Sequence, residues 1–123
     1  MLGLDSPNTW RVYRSEDGGI TGTEVLTVTA DSAALTVNSA QGVVTLFYEA
    51  GAGVYAKQSE DGGTTWGSAV AVQYSGSQLD ATLMDAAQDD RLNGAIFIAV
   101  DDAGVVSVMK SETIGADFAQ VLT

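Results

Sequence analysis

The chain has 123 residues, of which 46% are hydrophobic and 17% are charged. This composition is typical of a globular domain rather than a disordered segment. With no cysteine and no histidine, disulfides, thiolate metal sites and the usual zinc ligands are excluded. A formal net charge of −11 disfavours nucleic acid and anionic membranes as partners and leaves a basic protein face, a neutral glycan or a divalent cation open. The same charge also serves simply to keep a β protein soluble.

The first eight residues are predicted to be a leader or linker, because they contain the single proline, Pro7, in a Ser-Pro-Asn turn. They show no basic region followed by an apolar stretch, so no signal peptide is expected. The chain also has no run of about 18 apolar residues, so no transmembrane helix is expected.

Residues 9–30 predict a β-hairpin. Residues 9–14 have a strand-like pattern, residues 24–29 alternate, and the turn between them contains the pair Gly18-Gly19. Glycine takes the positive φ values of tight turns at little steric cost.

Residues 31–75 predict a unit of four strands. The innermost strand is expected at residues 34–37, and residues 68–73 are expected to close the unit. Residues 43–49 are almost continuously apolar, which favours a strand covered on both faces. Residues 54–58 then lead into a second turn.

Residues 76–123 repeat this plan. Strands are expected at residues 81–84, 94–100 and 105–110, with a polar loop at residues 86–93, and residues 118–122 start an outer strand. Because no heptad or long amphipathic segment is present, the sequence predicts a nearly all-β chain.

The second turn has a distinctive composition. Ser59, Asp61, Gly63, Thr65 and Trp66 follow the spacing Ser-x-Asp-x-Gly-x-Thr-Trp. The aspartate is placed to accept hydrogen bonds from turn N–H groups, and the tryptophan can fold back as an apolar plug. The pattern resembles the Asp-box, the hairpin repeat of sialidases and related β-propellers. The alternative is an ordinary Asp-Gly hairpin turn followed by an unrelated tryptophan.

Two further copies support the resemblance. Counted between their first serines, the copies lie 44 and 52 residues apart, close to the roughly 40–50-residue period of a propeller blade. The first copy has Gly22 in place of the aromatic residue, and the third has Thr113 in place of the aspartate. The box positions that these two copies keep are Ser15, Asp17, Gly19, Ser111, Gly115 and Phe118.

The resemblance implies an all-β fold of antiparallel four-stranded propeller blades. It divides the chain into a linker (1–8), a half blade (9–30), a complete blade (31–75) and a second, nearly complete blade (76–123). A propeller typically closes with about four to eight blades, so about two and a half blades leave the ring incomplete. We expect this chain to be a segment of a larger protein or assembly. Alternatively, copies of the chain complete the ring, or a different partner covers the open faces.

If this chain were a sialidase-like enzyme, the resemblance would imply an arginine cluster, a Tyr–Glu nucleophile pair and an acidic proton donor. The sequence offers only Arg11, Arg14 and Arg91. Tyr48 and Glu49 are adjacent, so in a strand their side chains point to opposite faces. We therefore predict no catalytic residues in this chain.

Acidic residues provide further candidates for chemistry. Asp80 and Asp85 flank an expected inner strand, where a glycosidase would need two carboxyl groups roughly 5–9 Å apart. The pairs Asp89-Asp90 and Asp101-Asp102 offer oxygen ligands for Ca²⁺, but neither follows the spacing of a calcium loop. We interpret these residues as solvated turn aspartates and expect no metal site and no cofactor.

Aromatic residues could stack on sugar rings, but aromatics in β-blades more often serve packing. The candidates are Trp10, Tyr13, Tyr55 and Tyr74. The ligand itself stays undetermined by the sequence.

The sequence favours a non-enzymatic structural or recognition module of a larger assembly, a virion or phage-tail component or a glycan-facing scaffold. The expected partners are other protein chains, copies of this chain, or a glycan, without nucleic acid or membrane insertion. The expected location is the virion or the extracellular space after cytoplasmic synthesis. The alternatives are a fragment of a sialidase-type glycoside hydrolase and a glycan-binding lectin that closes its ring by oligomerisation.

Overall fold

A computed structural model describes residues 2–4, 8–38, 41–51, 53–88, 95–112 and 117–122. Within these residues every regular element is a β-strand, which confirms the predicted all-β class. The strands are β1 (Leu2–Leu4), β2 (Thr9–Arg14), β3 (Thr23–Thr29), β4 (Ser32–Asn38), β5 (Val43–Ala50), β6 (Gly53–Ser59), β7 (Val70–Ala71), β8 (Gln73–Tyr74), β9 (Ser77–Gln78), β10 (Thr82–Gln88), β11 (Ile96–Asp102), β12 (Val105–Ser111) and β13 (Asp117–Leu122). None of the described residues forms a helix that could cross a bilayer.

The strands form three sheets. The first has the order β1-β2-β3, the central sheet β4-β5-β6-β7, and the third β10-β11-β12-β13-β8-β9. Neighbouring strands are antiparallel except β8 and β13, which pair in parallel. Strand β1 lies in the segment predicted as a linker and pairs with β2.

The central sheet is covered on both sides, as β5 shows. Leu46 and Tyr48 are buried in a first core, which β5 shares with the first sheet, whereas Phe47 is buried in a second core shared with the third sheet. Because side chains alternate between the faces of a strand, a strand buried on both faces reads as continuously apolar. The prediction for residues 43–49 is confirmed.

The two cores are built from different strands. The buried residues of the first core are Val12, Val28, Ala30, Leu46 and Tyr48. Those of the second core are Ala34, Phe47, Val54, Ala56, Val72, Leu79, Ala81, Leu83, Ile96, Ile98, Val100, Met109 and Phe118. The three sheets therefore stack in sequence, with an apolar layer between each pair of neighbours.

Strand β10 is longer than predicted. The prediction of a polar loop at residues 86–93 is wrong for residues 86–88, which pair with β11. A register shift between Leu83 and Asp85 interrupts the alternation of β10, and Ala86 packs against the second core after it. A β-bulge of this kind breaks the period of two on which the sequence prediction depends.

Polar contacts join the central and third sheets beside this bulge. One oxygen of Glu49 accepts hydrogen bonds from the Ser32 hydroxyl (3.2 Å) and from the Leu83 backbone N–H (3.3 Å). The Thr36 hydroxyl donates to the Gln88 side-chain oxygen (3.3 Å). The first strands of the two sheets, β4 and β10, therefore lie side by side.

Only one face of the third sheet packs against the second core. On the other face, here called the outer face, strand β11 presents Phe97 and Ala99 between neighbours from β10 and β12. A shallow depression of about 190 Å³ lies on it. The residues of the outer face used below are Asp85, Ala87, Phe97, Ala99, Val106 and Val108.

Candidate functional site

The turn that follows β6 is organised around one carboxylate. Asp61 Oδ1 accepts hydrogen bonds from the backbone N–H groups of Thr64 (3.1 Å) and Thr65 (2.9 Å), and its Oδ2 accepts from the Thr65 hydroxyl (2.5 Å). The buried Ser59 hydroxyl donates to Asp61 Oδ1 (2.7 Å) and accepts from the Gly63 N–H (2.9 Å). These contacts fix the turn from within.

Trp66 follows this turn and folds back over it. Its indole Nε1–H donates to the Gly63 carbonyl oxygen at 3.0 Å, and its ring packs against the first core. Gly62 and Gly63 have φ values of 73° and 97°, a region that side chains with a Cβ rarely adopt. The glycine pair thus brings the chain around so that the indole can reach the carbonyl.

The turn after β2 repeats these contacts. Asp17 accepts from the Thr21 N–H (2.8 Å) and hydroxyl (2.5 Å). Ser15 donates to Asp17 (2.8 Å) and accepts from the Gly19 N–H (2.9 Å). The two turns share this hydrogen-bond pattern although Gly22 occupies the position of the tryptophan.

The third predicted copy is only partly described. Ser111 is buried at the end of β12, whereas Gly115 lies outside the described residues. Phe118 is buried in the second core, where its ring meets Phe47 edge to face with 6.2 Å between ring centroids. In this part of the chain, the aromatic residue joins two sheets.

The turn carboxylates are held in their charged form. Hydrogen bonds from the Thr21 hydroxyl and N–H, and from Ser15, lower the pKa of Asp17 to about 2. The equivalent contacts from Thr65 and Ser59 also hold the pKa of Asp61 well below its usual range. Hydrogen bonding to the charged form is the cause in both turns.

We expect these carboxylates to make stability depend on pH below about pH 4. A carboxyl group whose pKa is lower in the folded than in the unfolded chain stabilises the fold above its unfolded pKa, and this contribution is lost as the pH falls toward the folded value. For Asp17, this loss falls between its ordinary 3.8 and about 2. Urea unfolding midpoints measured from pH 6 to pH 2 should fall less steeply in Asp17→Asn, and also in Thr21→Val. An unchanged slope in Asp17→Asn would contradict this.

A cleft of about 400 Å³ separates the two turns, and we call it the inter-turn cleft. Its floor is apolar and comes from both the first and the central sheets. Ser15 borders it from the first turn, and Gly62, Gly63 and Trp66 border it from the second. The apolar side chains that line it are Val12, Val25, Leu35, Val37, Val44 and Trp66. Sequence reasoning missed this cleft, because its residues come from strands whose packing no local pattern specifies.

The residues considered for catalysis do not come together. Tyr48 faces the first core and stacks on Tyr55, with 5.6 Å between ring centroids, whereas Glu49 contacts Leu83 in the third sheet. Burial, followed by the neighbouring Tyr55, raises the pKa of Tyr48. Arg11 pairs with Glu24 and Arg14 with Glu16, while Arg91 lies outside the described residues.

The acidic candidates are dispersed. Asp80 and Asp85 are exposed, and Asp101 accepts a hydrogen bond from the Gly104 N–H within its own turn (2.9 Å). Asp89 and Asp90 lie outside the described residues. In the described part of the chain, no group of three or more acidic, histidine or cysteine side chains could hold a metal ion.

The four candidate aromatics make packing contacts. Trp10 donates its indole N–H to the Ala30 carbonyl oxygen (3.2 Å), and the Tyr74 ring packs against the second core. Tyr55 stacks on Tyr48. Tyr13 lies beside Gly3, since a Cβ built on Gly3 would be 3.6 Å from the tyrosine ring.

A scan against protein-family models finds no matching family for this chain, and a search of curated proteins finds no significant match.

Proposed function

We propose that this chain is a non-enzymatic structural or recognition module of a larger assembly, built from Asp-box β-propeller blades. The shared contacts of Asp17 and Asp61 support the Asp-box interpretation. In both turns the carboxylate and the preceding serine satisfy backbone N–H groups that a tight turn leaves without partners in the strands.

The observation that carries this proposal is the difference between the faces of the sheets. The central sheet has both faces buried, whereas the outer face of the third sheet presents apolar side chains of β10, β11 and β12. Val106 on this face is 48% exposed. Exposed apolar side chains that lie together and are bordered by charged ones, here Asp85, Asp101 and Lys110, are typical of a face that another protein surface covers.

Within this class we favour a virion or phage-tail component, located in the virion or the extracellular space. Its partners would be other protein chains or copies of this chain. The acidic, cysteine-free composition rich in small and β-branched residues supports this choice. A sialidase-type hydrolase is less well supported, because the Tyr48 side chain faces the first core whereas Glu49 contacts the third sheet, so the two do not form a pair.

Light scattering on the purified protein tests the proposal. We expect the native mass to be a whole-number multiple of the chain mass, as in a closed oligomer, or to grow with time and concentration. The reason is that association buries the apolar side chains on the outer face of the third sheet. Ala87→Lys places a charge on that face at an exposed position and should shift the protein toward the monomer. The matched control Thr29→Lys adds the same charge at an exposed position of β3 and should not.

One result would overturn the proposal. If the wild-type protein stays a monomer at the highest concentration tested, and Ala87→Lys behaves as the wild type does, the outer face of the third sheet needs no partner.

A further inference from the structure

The inter-turn cleft has the form of a binding site for an apolar group. Val12 and Val44 at its floor are buried, whereas Val37 is 52% exposed. Its volume of about 400 Å³ falls within the roughly 300–1,000 Å³ of ligand pockets. Apolar surface that stays in water costs about 25 cal/mol per Å², so a group that covers this floor would bind favourably.

The two turns that border the cleft carry acidic residues, whereas the charged residue that lines the cleft itself is Arg14. The first turn carries Glu16 and Asp17, and the second carries Glu60 and Asp61, each pair at the same place in its turn. Glu16 lines a neighbouring depression of about 280 Å³ together with Arg14, and Glu60 lines another beside Trp66.

The basic side chain at this rim does not reverse the charge. Arg14 donates a hydrogen bond to Glu16 at 2.6 Å, so this pair is locally neutral. Asp17, Glu60 and Asp61 remain in excess on a protein whose formal net charge is −11. An occupant with positive charge beside its apolar group is therefore favoured over a neutral or acidic one.

From this charge complementarity we infer that the inter-turn cleft docks a segment of a partner protein in which an apolar side chain is flanked by lysine or arginine. The apolar side chain lies against Val37 and Trp66 above the buried floor. The basic side chains lie beside the unpaired acidic residues of the two turns, Asp17 and Glu60. This inference rests on the proposed function, since it names the chemistry of one partner in the assembly.

Short synthetic peptides test this inference. The probe is acetyl-Lys-Lys-Leu-Lys-Lys-amide, with acetyl-Lys-Lys-Ser-Lys-Lys-amide and acetyl-Glu-Glu-Leu-Glu-Glu-amide as comparisons. NMR gives each indole N–H its own signal, so Trp66 reports on the cleft and Trp10 on a site away from it. We expect the leucine-containing basic peptide to move the Trp66 signal and to bind at least about fourfold more tightly than the serine peptide, since burying even one methylene contributes about 0.8 kcal/mol, a factor of about four in affinity.

Two pairs of variants locate the binding site. Val37→Ser should weaken binding about fivefold, whereas Val105→Ser, which removes a valine of similar exposure (50%) elsewhere, should leave it unchanged. Glu60→Gln should weaken binding of the basic peptide, whereas Glu112→Gln, at an exposed position after β12, should not.

Several results would overturn the inference. Equal binding of the leucine and serine peptides would indicate general attraction to an acidic surface. A fixed Trp66 signal, an unaffected Val37→Ser variant, or tighter binding of the acidic peptide would also contradict it. Because the native mass is measured without any peptide, an assembling protein that binds none of them would refute this inference and leave the proposed function standing.

Discussion

Replacing Phe47 by alanine is expected to lower the free energy of unfolding by about 3–5 kcal/mol. The Phe47 side chain is fully buried in β5, and its ring meets Phe118 of β13 at an interplanar angle of 86°. The substitution would remove a large apolar surface and leave a cavity between the central and third sheets. It would also remove an edge-to-face pair that contributes about 0.5–1.5 kcal/mol beyond burial.

Urea unfolding followed by circular dichroism measures this loss. Phe97→Ala is a matched control, because Phe97 lies on the outer face of the third sheet and is only partly buried. We expect its loss to be less than half that of Phe47→Ala. Equal losses would contradict the placement of the core between the two sheets. A double-mutant cycle with Phe118→Leu should show a coupling of about 0.5–1.5 kcal/mol between the two rings.

The strands and turns that local chemistry determines could be predicted from the sequence. Residues 43–49 are almost continuously apolar, and this run by itself predicted a strand buried on both faces. The Asp-Gly-Gly turns at residues 17–19 and 61–63 carry their own hydrogen-bond acceptors and their own positive-φ residues. Such features need no distant partner, so they can be inferred from a few adjacent residues.

Features that depend on distant partners could not be predicted. Strands β8 and β9 have two residues each, and β8 pairs in parallel with β13, more than forty residues away in sequence. The inter-turn cleft likewise depends on how the first sheet packs on the central one. Phe118 fits the third box by its spacing, but only the fold shows that its ring lies against Phe47.

Replacing Trp66 by alanine is expected to lower the free energy of unfolding by about 2–3 kcal/mol, less than the roughly 3–5 kcal/mol of a fully buried aromatic, because the ring is only partly buried. The loss has two sources. The ring packs against the first core, and its N–H donates a hydrogen bond to the Gly63 carbonyl oxygen. Trp66→Phe should keep most of the covering and lose only the hydrogen bond, at a cost of about 1 kcal/mol.

The turn itself should survive the loss of this ring. The first turn makes the same Asp17 contacts with Gly22 at the aromatic position, so the hydrogen bonds of such a turn form without the indole. In Trp66→Ala we therefore expect the Thr65 amide to keep its NMR shift and its slow hydrogen exchange while the unfolding midpoint falls. If the midpoint did not change, the ring would contribute nothing to the packing of the first and central sheets. If the Thr65 amide lost its protection, the tryptophan would be needed to form the second turn although the first turn forms without one.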